Sequence, residues 1–346
     1  MWLISLRDLE WRRRRFAIAV FAAGLVLGLA LLLSGVKASF DNEIDRTVRS
    51  FGADQWLVTE GAVGPFTAPI GFPASRVEEV RKTTGVRRAD PVAIIGATAA
   101  TPEPENVKVI GAVPGGVGPA ADFKEQLRAP DAVIADASLG LDEGDPLALS
   151  GRRFTVAGVT HGHTYFAGVP TVVMSLASAQ ALGFDGRPLA TAIVTEGVSG
   201  DAPPGFSSLS TGDVKRDLNR PVASAKQTID LIRRLLWLVS AGIIGAIVYL
   251  SALERTSDFA VLKAIGVSTS SLVRGLLGQT VVLALLAVGI AVLLELAIEP
   301  FSAMAPEVPV RGYVELAVAA VAAGILASLA ALRRATRVDP ALAFGG

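Results

Sequence analysis

Residues 12–36 read RRRRFAIAVFAAGLVLGLALLLSGV, four arginines followed by 21 residues without a charge. At 1.5 Å per residue a helix over 16–36 reaches about 31 Å, enough to cross a hydrocarbon core of about 30 Å. The alternative is a cleaved secretory leader, because Val36-Lys37-Ala38 resembles a small-x-small cleavage site. Leader apolar cores usually run about 7–15 residues, so this longer run predicts an uncleaved membrane anchor.

Three further charge-free runs lie towards the C-terminus. They cover 235–253, between Arg234 and Glu254; 276–294, between Arg274 and Glu295; and 316–332, between Glu315 and Arg333. Runs of this length without an internal charge predict membrane spans rather than buried helices of a soluble core. In the last run, Gly324 and Ser328 mark a face suited to close helix packing.

Basic residues in short flanks set orientation. Arg7 and Arg12 to Arg15 precede the first span, Arg255, Lys263 and Arg274 follow the second, and Arg333, Arg334 and Arg337 follow the fourth. The 295–315 connection instead carries Glu295, Glu299, Glu307 and Glu315 against Arg311. The expectation is therefore a membrane α-helical protein with four transmembrane helices and both termini inside. A mixed α+β extracytoplasmic domain is inserted between helices 1 and 2. Its parts are a cytoplasmic amphipathic helix (1–15), span one (16–36), the outer domain with stalk helices (37–228), span two (235–253) and a cytoplasmic segment (254–274). Span three (276–294), an outer loop (295–315), span four (316–332) and a cytoplasmic tail (333–346) complete it. Lys226, Arg233 and Arg234 conflict with this orientation, since they place positive charge on the outer side of span two.

Within 37–228 the pattern predicts a helix over 37–50, with Phe40, Ile44, Val48 and Phe51 on one face. Strands are predicted at 55–59, 92–97, 107–113, 132–135, 153–159, 171–175 and 191–195. Short helices are predicted at 75–84, where Ser75 and Glu78 have capping-box spacing, and at 175–182. The Pro- and Gly-rich 197–212 segment reads as a linker, and 215–234 as a helix returning to the membrane.

The chemistry available is limited. Lys plus Arg number 32 and Asp plus Glu 32, so bulk charge gives no case for nucleic acid. There is no cysteine, which removes disulfides, thiolate metal sites and thiol nucleophiles. The glycine-rich 111–118 segment lacks the Lys and Ser/Thr with which a P-loop reaches phosphate and magnesium, so it reads as a surface turn. His161 and His163 are the chain's two histidines; no third ligand for zinc stands near them in sequence. Asp142, Glu143 and Asp145 read as a turn with Gly144 and Pro146 rather than a calcium loop. No G-x-S-x-G elbow accompanies the serines. Glu295 and Glu299, next to Pro300, read as the headgroup-level end of span three rather than an ion pathway. No catalytic constellation, and so no enzyme, is expected.

Residues 254–274 are different. Phe259, Leu262 and Ile265 recur every three residues, giving one apolar face, with Asp258 in the first turn and Lys263 near the end. Gly266 falls where a helix commonly ends in the left-handed conformation. Such a helix either lies on the lipid surface or docks into a groove on a cytoplasmic partner.

The stretch ALERTSDFAVLKAIGVSTSSLV (252–273) resembles the FtsX/MacB-like ABC transporter permeases. It does so in the Glu254-Arg255 pair and the 262–268 block. Residues 5–28 are similar to that family's basic helix leading into span one, 333–343 to its closing segment, and 131–159 to part of a MacB-type periplasmic core domain. Thr256-Ser257-Asp258 departs from the family, where basic residues are usual. The resemblance implies a homodimer or a pair of related permeases in the bacterial plasma membrane. ATP and magnesium would be bound by separate ATPase subunits, since no ATPase sequence is present here. It also implies that 254–268 is the ATPase-coupling element, through Glu254, Arg255, Phe259, Leu262, Lys263, Ile265 and Gly266. Partners would be the ATPase, lipid and an extracytoplasmic protein. The expected function is export or release of a hydrophobic, peptide or lipid-linked substrate. The alternatives are a mechanotransmitter acting on an outer partner such as a cell-wall hydrolase, and an ATPase-independent receptor.

Overall fold

A computed structural model describes residues 13–101, 104–254, 261, 265–298 and 308–335. The chain divides into two units, Met1–Ser39 with Ala225–Gly346, and Phe40–Ser224. Helices α1 (Arg13–Ser50) and α4 (Thr211–Glu254) each contribute to both.

The first unit is helical. Besides parts of α1 and α4 it contains α5 (Thr269–Ile298) and α6 (Val310–Ala335). Among the described residues, three helices are long and apolar enough to cross a membrane: Phe16–Ser50, Thr211–Glu254 and Ser270–Ile298. Leu27 and Leu31 of α1, Val248 of α4, Leu283 of α5 and Leu316 of α6 meet in one buried cluster. In lipid, helix association depends on close packing rather than on water exclusion, so small residues decide where backbones approach. On α1 they are Gly24 and Gly28, which face Ala287 and Ala291 of α5. A Cβ on Gly24 would lie 2.7 Å from Ile290 Cβ and 3.1 Å from the Ala287 carbonyl oxygen. A Cβ on Gly28 would lie 3.5 Å from Ala291 Cα. Gly324 of α6 likewise sits against Thr280 Cγ2 and Ile244 Cγ2, at 2.9 and 3.5 Å from where its Cβ would be. The small-residue face expected at Gly324 is present there; the Ser328 side chain lies outside the described residues. Glu295 is expected at the headgroup-level end of span three. Helix α5 ends three residues later at Ile298, and Glu295 is 2% exposed, accepting a hydrogen bond from Tyr313 Oη at 3.0 Å. Glu299 lies outside the described residues.

The second unit is a mixed sheet with short helices. Its strands are β1 (Gln55–Thr59), β2 (Phe72–Pro73), β3 (Arg88–Ala99), β4 (Glu105–Ala112), β5 (Ala132–Asp136) and β6 (Pro146–Leu149). Then come β7 (Arg152–Thr160), β8 (Thr164–Tyr165), β9 (Val169–Ser175), β10 (Leu189–Ala190), β11 (Ala192–Glu196) and β12 (Phe206–Ser210). The main order is β12-β1-β11-β3-β4-β9-β5-β7-β6. Pairs β4–β9 and β5–β7 are parallel and the rest antiparallel. Leu149 of β6 also pairs with Ala99 of β3, so six strands close into a ring around Val109, Val133, Leu147, Val172 and Met174. Beyond β3, the β11-β1-β12 wing covers a second core of Leu57, Phe72, Val80, Ile193 and Phe206.

Three local expectations need correction. The helix expected over 75–84 is a 3₁₀ turn (Ala74–Arg76) followed by α2 (Val77–Arg81), and Ser75 does not cap it. Glu78, whose side chain a capping box would need, is engaged with Arg81 at 2.7 Å. The 197–212 linker contains β12, whose Phe206 packs edge-on against Phe72 at 5.0 Å. Helix α4 then starts at Thr211, where Ser210 and Asp213 bond reciprocally: Ser210 N to Asp213 Oδ2 at 2.9 Å, and Asp213 N to Ser210 Oγ at 3.3 Å. Finally, the glycine-rich turn is not a surface feature. Residues 116–120 are buried, and Asp90 Oδ2 accepts from Val117 N at 2.8 Å. Arg81 and Arg88 balance that buried carboxylate at 3.0 and 3.1 Å. The helix expected over 175–182 is α3 (Leu176–Gly183), N-capped by Ser175, whose side chain accepts from Ser178 N.

Candidate functional site

The sequence points to 254–268, and the structure describes part of it. Glu254 is the last residue of α4. Arg255, Phe259, Leu262 and Lys263 lie outside the described residues. Ile265 is 72% exposed, with its N–H donating to Val261 O at 3.1 Å, and Gly266 has φ +92°. An isoleucine so exposed next to a left-handed glycine gains nothing from its own fold, which leaves it available for lipid or another chain.

Sequence reasoning missed how α1 and α4 are fixed within each unit. In the helical unit, Lys37 Nζ of α1 lies 2.6 Å from Asp230 Oδ2 of α4. Arg233 donates to Ser34 Oγ at 3.1 Å, stands 3.6 Å from Asp230 and lies over the Trp237 ring at 5.2 Å. Arg233, one of the basic residues at odds with the orientation rule, is thus partly neutralised.

In the sheet unit the same two helices are gripped by buried carboxylates. Glu43 of α1 is 4% exposed and accepts from Ala167 N and Gly168 N at 2.9 and 3.0 Å. Those amides belong to a turn with positive φ at Phe166, Ala167 and Gly168, a strained conformation that the carboxylate holds. Thr47 Oγ1 donates to Thr164 O at 3.3 Å, and Asp45 pairs with Lys215 of α4 at 2.7 Å. On α4, Asp217 is 1% exposed and accepts from Phe66 N at 2.9 Å, from Thr67 N at 3.3 Å and from Thr67 Oγ1. A Cβ on Gly64 would overlap the Asp217 carboxylate, so only glycine fits there.

Phe66 is where the two helices meet the sheet. Its backbone is held by Asp217 of α4, and its ring contacts Phe51, the residue after α1, at 5.7 Å. Trp56 and Tyr165 complete the cluster, 5.6 and 5.2 Å from Phe66. Lys108 Nζ lies 5.2 Å from the Tyr165 ring and 3.4 Å from Phe66 O. Burial pushes the Lys108 ammonium below its ordinary 10.5, with Asp217 opposing the shift. Burial, and then Asp217, pushes the Tyr165 hydroxyl well above its ordinary 10.

These shifts fix a pH dependence. Below 10.5 the unfolded chain holds the Lys108 proton more tightly than the folded one, so that contribution to stability rises with pH up to 10.5. Above 10 the unfolded chain loses the Tyr165 proton first, so stability falls as pH rises further. Tyr165 Oη is also buried, with no hydrogen-bond partner among the described residues. Tyr165→Phe is therefore expected to raise stability by about 1 kcal/mol at neutral pH and to flatten the alkaline fall. Denaturant unfolding followed by Trp56 fluorescence, with the other tryptophans replaced, checks both. Destabilisation by Tyr165→Phe would contradict the assignment.

The FtsX-like permease C-terminal family model matches residues 234–340. An uncharacterized ABC transporter permease of Mycobacterium bovis is 38% identical over 348 residues, covering 100% of both chains. One from Mycobacterium tuberculosis aligns with the same identity and coverage. The chain belongs to the FtsX-like ABC transporter permeases. This permease is also similar to the periplasmic region of MacB from Actinobacillus actinomycetemcomitans, at 13% identity and TM-score 0.34, over 51% of this chain and 98% of that one. In the permease, the matched segment contains α5, α6 and residues 234–254 of α4. The gripping carboxylates Glu43 and Asp217 lie outside it.

Proposed function

We propose that this permease is the membrane subunit of an ABC transporter whose ATPase is a separate polypeptide. In this reading it crosses the bacterial plasma membrane four times with both termini inside, and α6 supplies the fourth span. The 254–268 segment receives movement from the ATPase, with Phe259, Leu262 and Ile265 as docking residues. Helices α1 and α4 carry that movement to the outer domain, which exports or releases a hydrophobic, peptide or lipid-linked substrate. The permease acts as a pair, either homodimeric or with a related permease, and ATP and magnesium are bound by the ATPase alone.

One observation carries the reading. Each of the two long helices continues unbroken from a membrane-length apolar stretch into the sheet unit, where a buried carboxylate fixes it, Glu43 on α1 and Asp217 on α4. A helix is stiff along its hydrogen-bonded length, so a displacement at one end is delivered at the other; in α4, Pro221 removes one ladder bond between Asp217 and the apolar stretch. Loose attachment would dissipate it, and hydrogen bonds from amides to carboxylates are the tighter kind.

Affinity purification from native membranes, with mass spectrometry of what accompanies the permease, tests this. The expected result is a stoichiometric ATPase bearing a Walker motif, whose ATP turnover changes when the permease is added. Purification with no ATPase would leave the receptor reading in its place.

A further inference from the structure

The sheet unit contains a cleft of about 600 Å³ that the proposed transmission does not use. Arg46 and Arg49 of α1 line it, together with the 116–119 turn and both histidines of the chain, His161 and His163. The two arginines are three residues apart on one helix, so they share a face. The Arg46 guanidinium lies against Gly162, where φ is +72° and an added Cβ would stand 3.7 Å from Nη1. His163 is fixed from behind, its N–H donating to Asp136 Oδ2 at 2.7 Å. Among the described residues the Arg49 side chain has no hydrogen-bond or ion-pair partner, and it lines this open cleft from an exposed position on α1. Asp122 and Glu196 are the acids on the wall. Glu196 stands opposite Arg88 in the β11–β3 register.

We propose that this cleft binds an anionic group of the phosphate class. Two guanidiniums on α1 and two imidazoles on the β7–β8 turn line it, and potential donors on separate elements suit a tetrahedral oxyanion better than a planar carboxylate. The glycine-rich turn contributes a wall and not its own P-loop chemistry, because its Val117 amide is already held by Asp90. The ligand is either a free phosphate-type molecule or the headgroup of an anionic lipid. The inference concerns the sheet unit alone and does not depend on ATPase coupling.

The two histidines make the test direct, because selective labelling gives two resonances, both from the cleft. Full-length permease, purified in detergent through a tag without histidine, would be titrated with inorganic phosphate at constant ionic strength. In a parallel arm it would be titrated with dihexanoyl-phosphatidylglycerol. Saturable movement of the histidine signals is expected in at least one arm, and the responding arm identifies the source. Arg49→Gln should weaken the apparent affinity about tenfold or more, while Arg49→Lys retains most of it. Unperturbed positions of the two signals in ligand-free Arg49→Gln would show that the fold is intact. The proposal is overturned by no movement in either arm, by equal movement with chloride, or by equal affinity in Arg49→Gln.

Discussion

Phe259→Asp and Ile265→Asp are each expected to leave the permease folded and membrane-inserted while lowering permease-dependent ATP turnover at least about tenfold. Ile265 is 72% exposed next to Gly266 at φ +92°, so an aspartate there disturbs no core of the permease itself. An apolar residue docked in a partner's groove is another matter. Putting a carboxylate into that groove leaves a charge desolvated and unpaired, which costs several kcal/mol. Titrating purified ATPase with reconstituted permease reads the effect. Turnover within about twofold of the unsubstituted protein, for both variants, would mean that this face contacts lipid and not the ATPase.

Asp217→Ala is expected to destabilise the sheet unit by about 3–5 kcal/mol. The carboxylate is 1% exposed and serves two backbone amides and one hydroxyl. Its removal leaves the buried Phe66 N–H without an acceptor and Lys108 without the charge that opposes its desolvation. Asp217→Asn should recover part of the loss, because one oxygen remains to accept from Phe66 N. Denaturant unfolding read from Trp56, which packs 5.6 Å from Phe66, measures this locally. A loss below about 1 kcal/mol would show that the 64–67 loop is held by its neighbours rather than by Asp217.

Why some of this could be read from the sequence, and some not, follows from the range of the forces. The apolar stretches at 16–36, 235–253 and 276–294 are visible because one uninterrupted run states its environment residue by residue. Strands such as β4 and β9 are legible for a similar reason, being β-branched runs buried on both faces. β2, β8 and β10 have two residues each, too few to show a period. β12 was hidden by Pro203, Pro204 and Gly205, although Ser210 and Asp213 did announce the start of α4. The α1–α5 packing had a signal too, in the Gly24-x-x-x-Gly28 spacing facing Ala287 and Ala291.

The anchoring of the helices had no such signal. Asp217 meets Phe66 across 151 residues of sequence, and Glu43 meets Ala167 across 124. Before folding, each is one acid among 32, and nothing local distinguishes a carboxylate that will be buried from one that will face water. The coupling segment shows the converse. Its spacing and its resemblance to a family are plain in the sequence, while its partner is a different polypeptide.

The absence of cysteine makes the most direct test of the transmission account simple. Lys82→Cys on the sheet unit and Ser270→Cys beside the coupling segment place single thiols at exposed positions. Intact cells would be treated with a membrane-impermeant maleimide, before and after permeabilisation. The account predicts that position 82 reacts in intact cells and position 270 only after the membrane is opened. Equal labelling of both positions in intact cells, or of neither, would put the two ends of the helices in one compartment and contradict it.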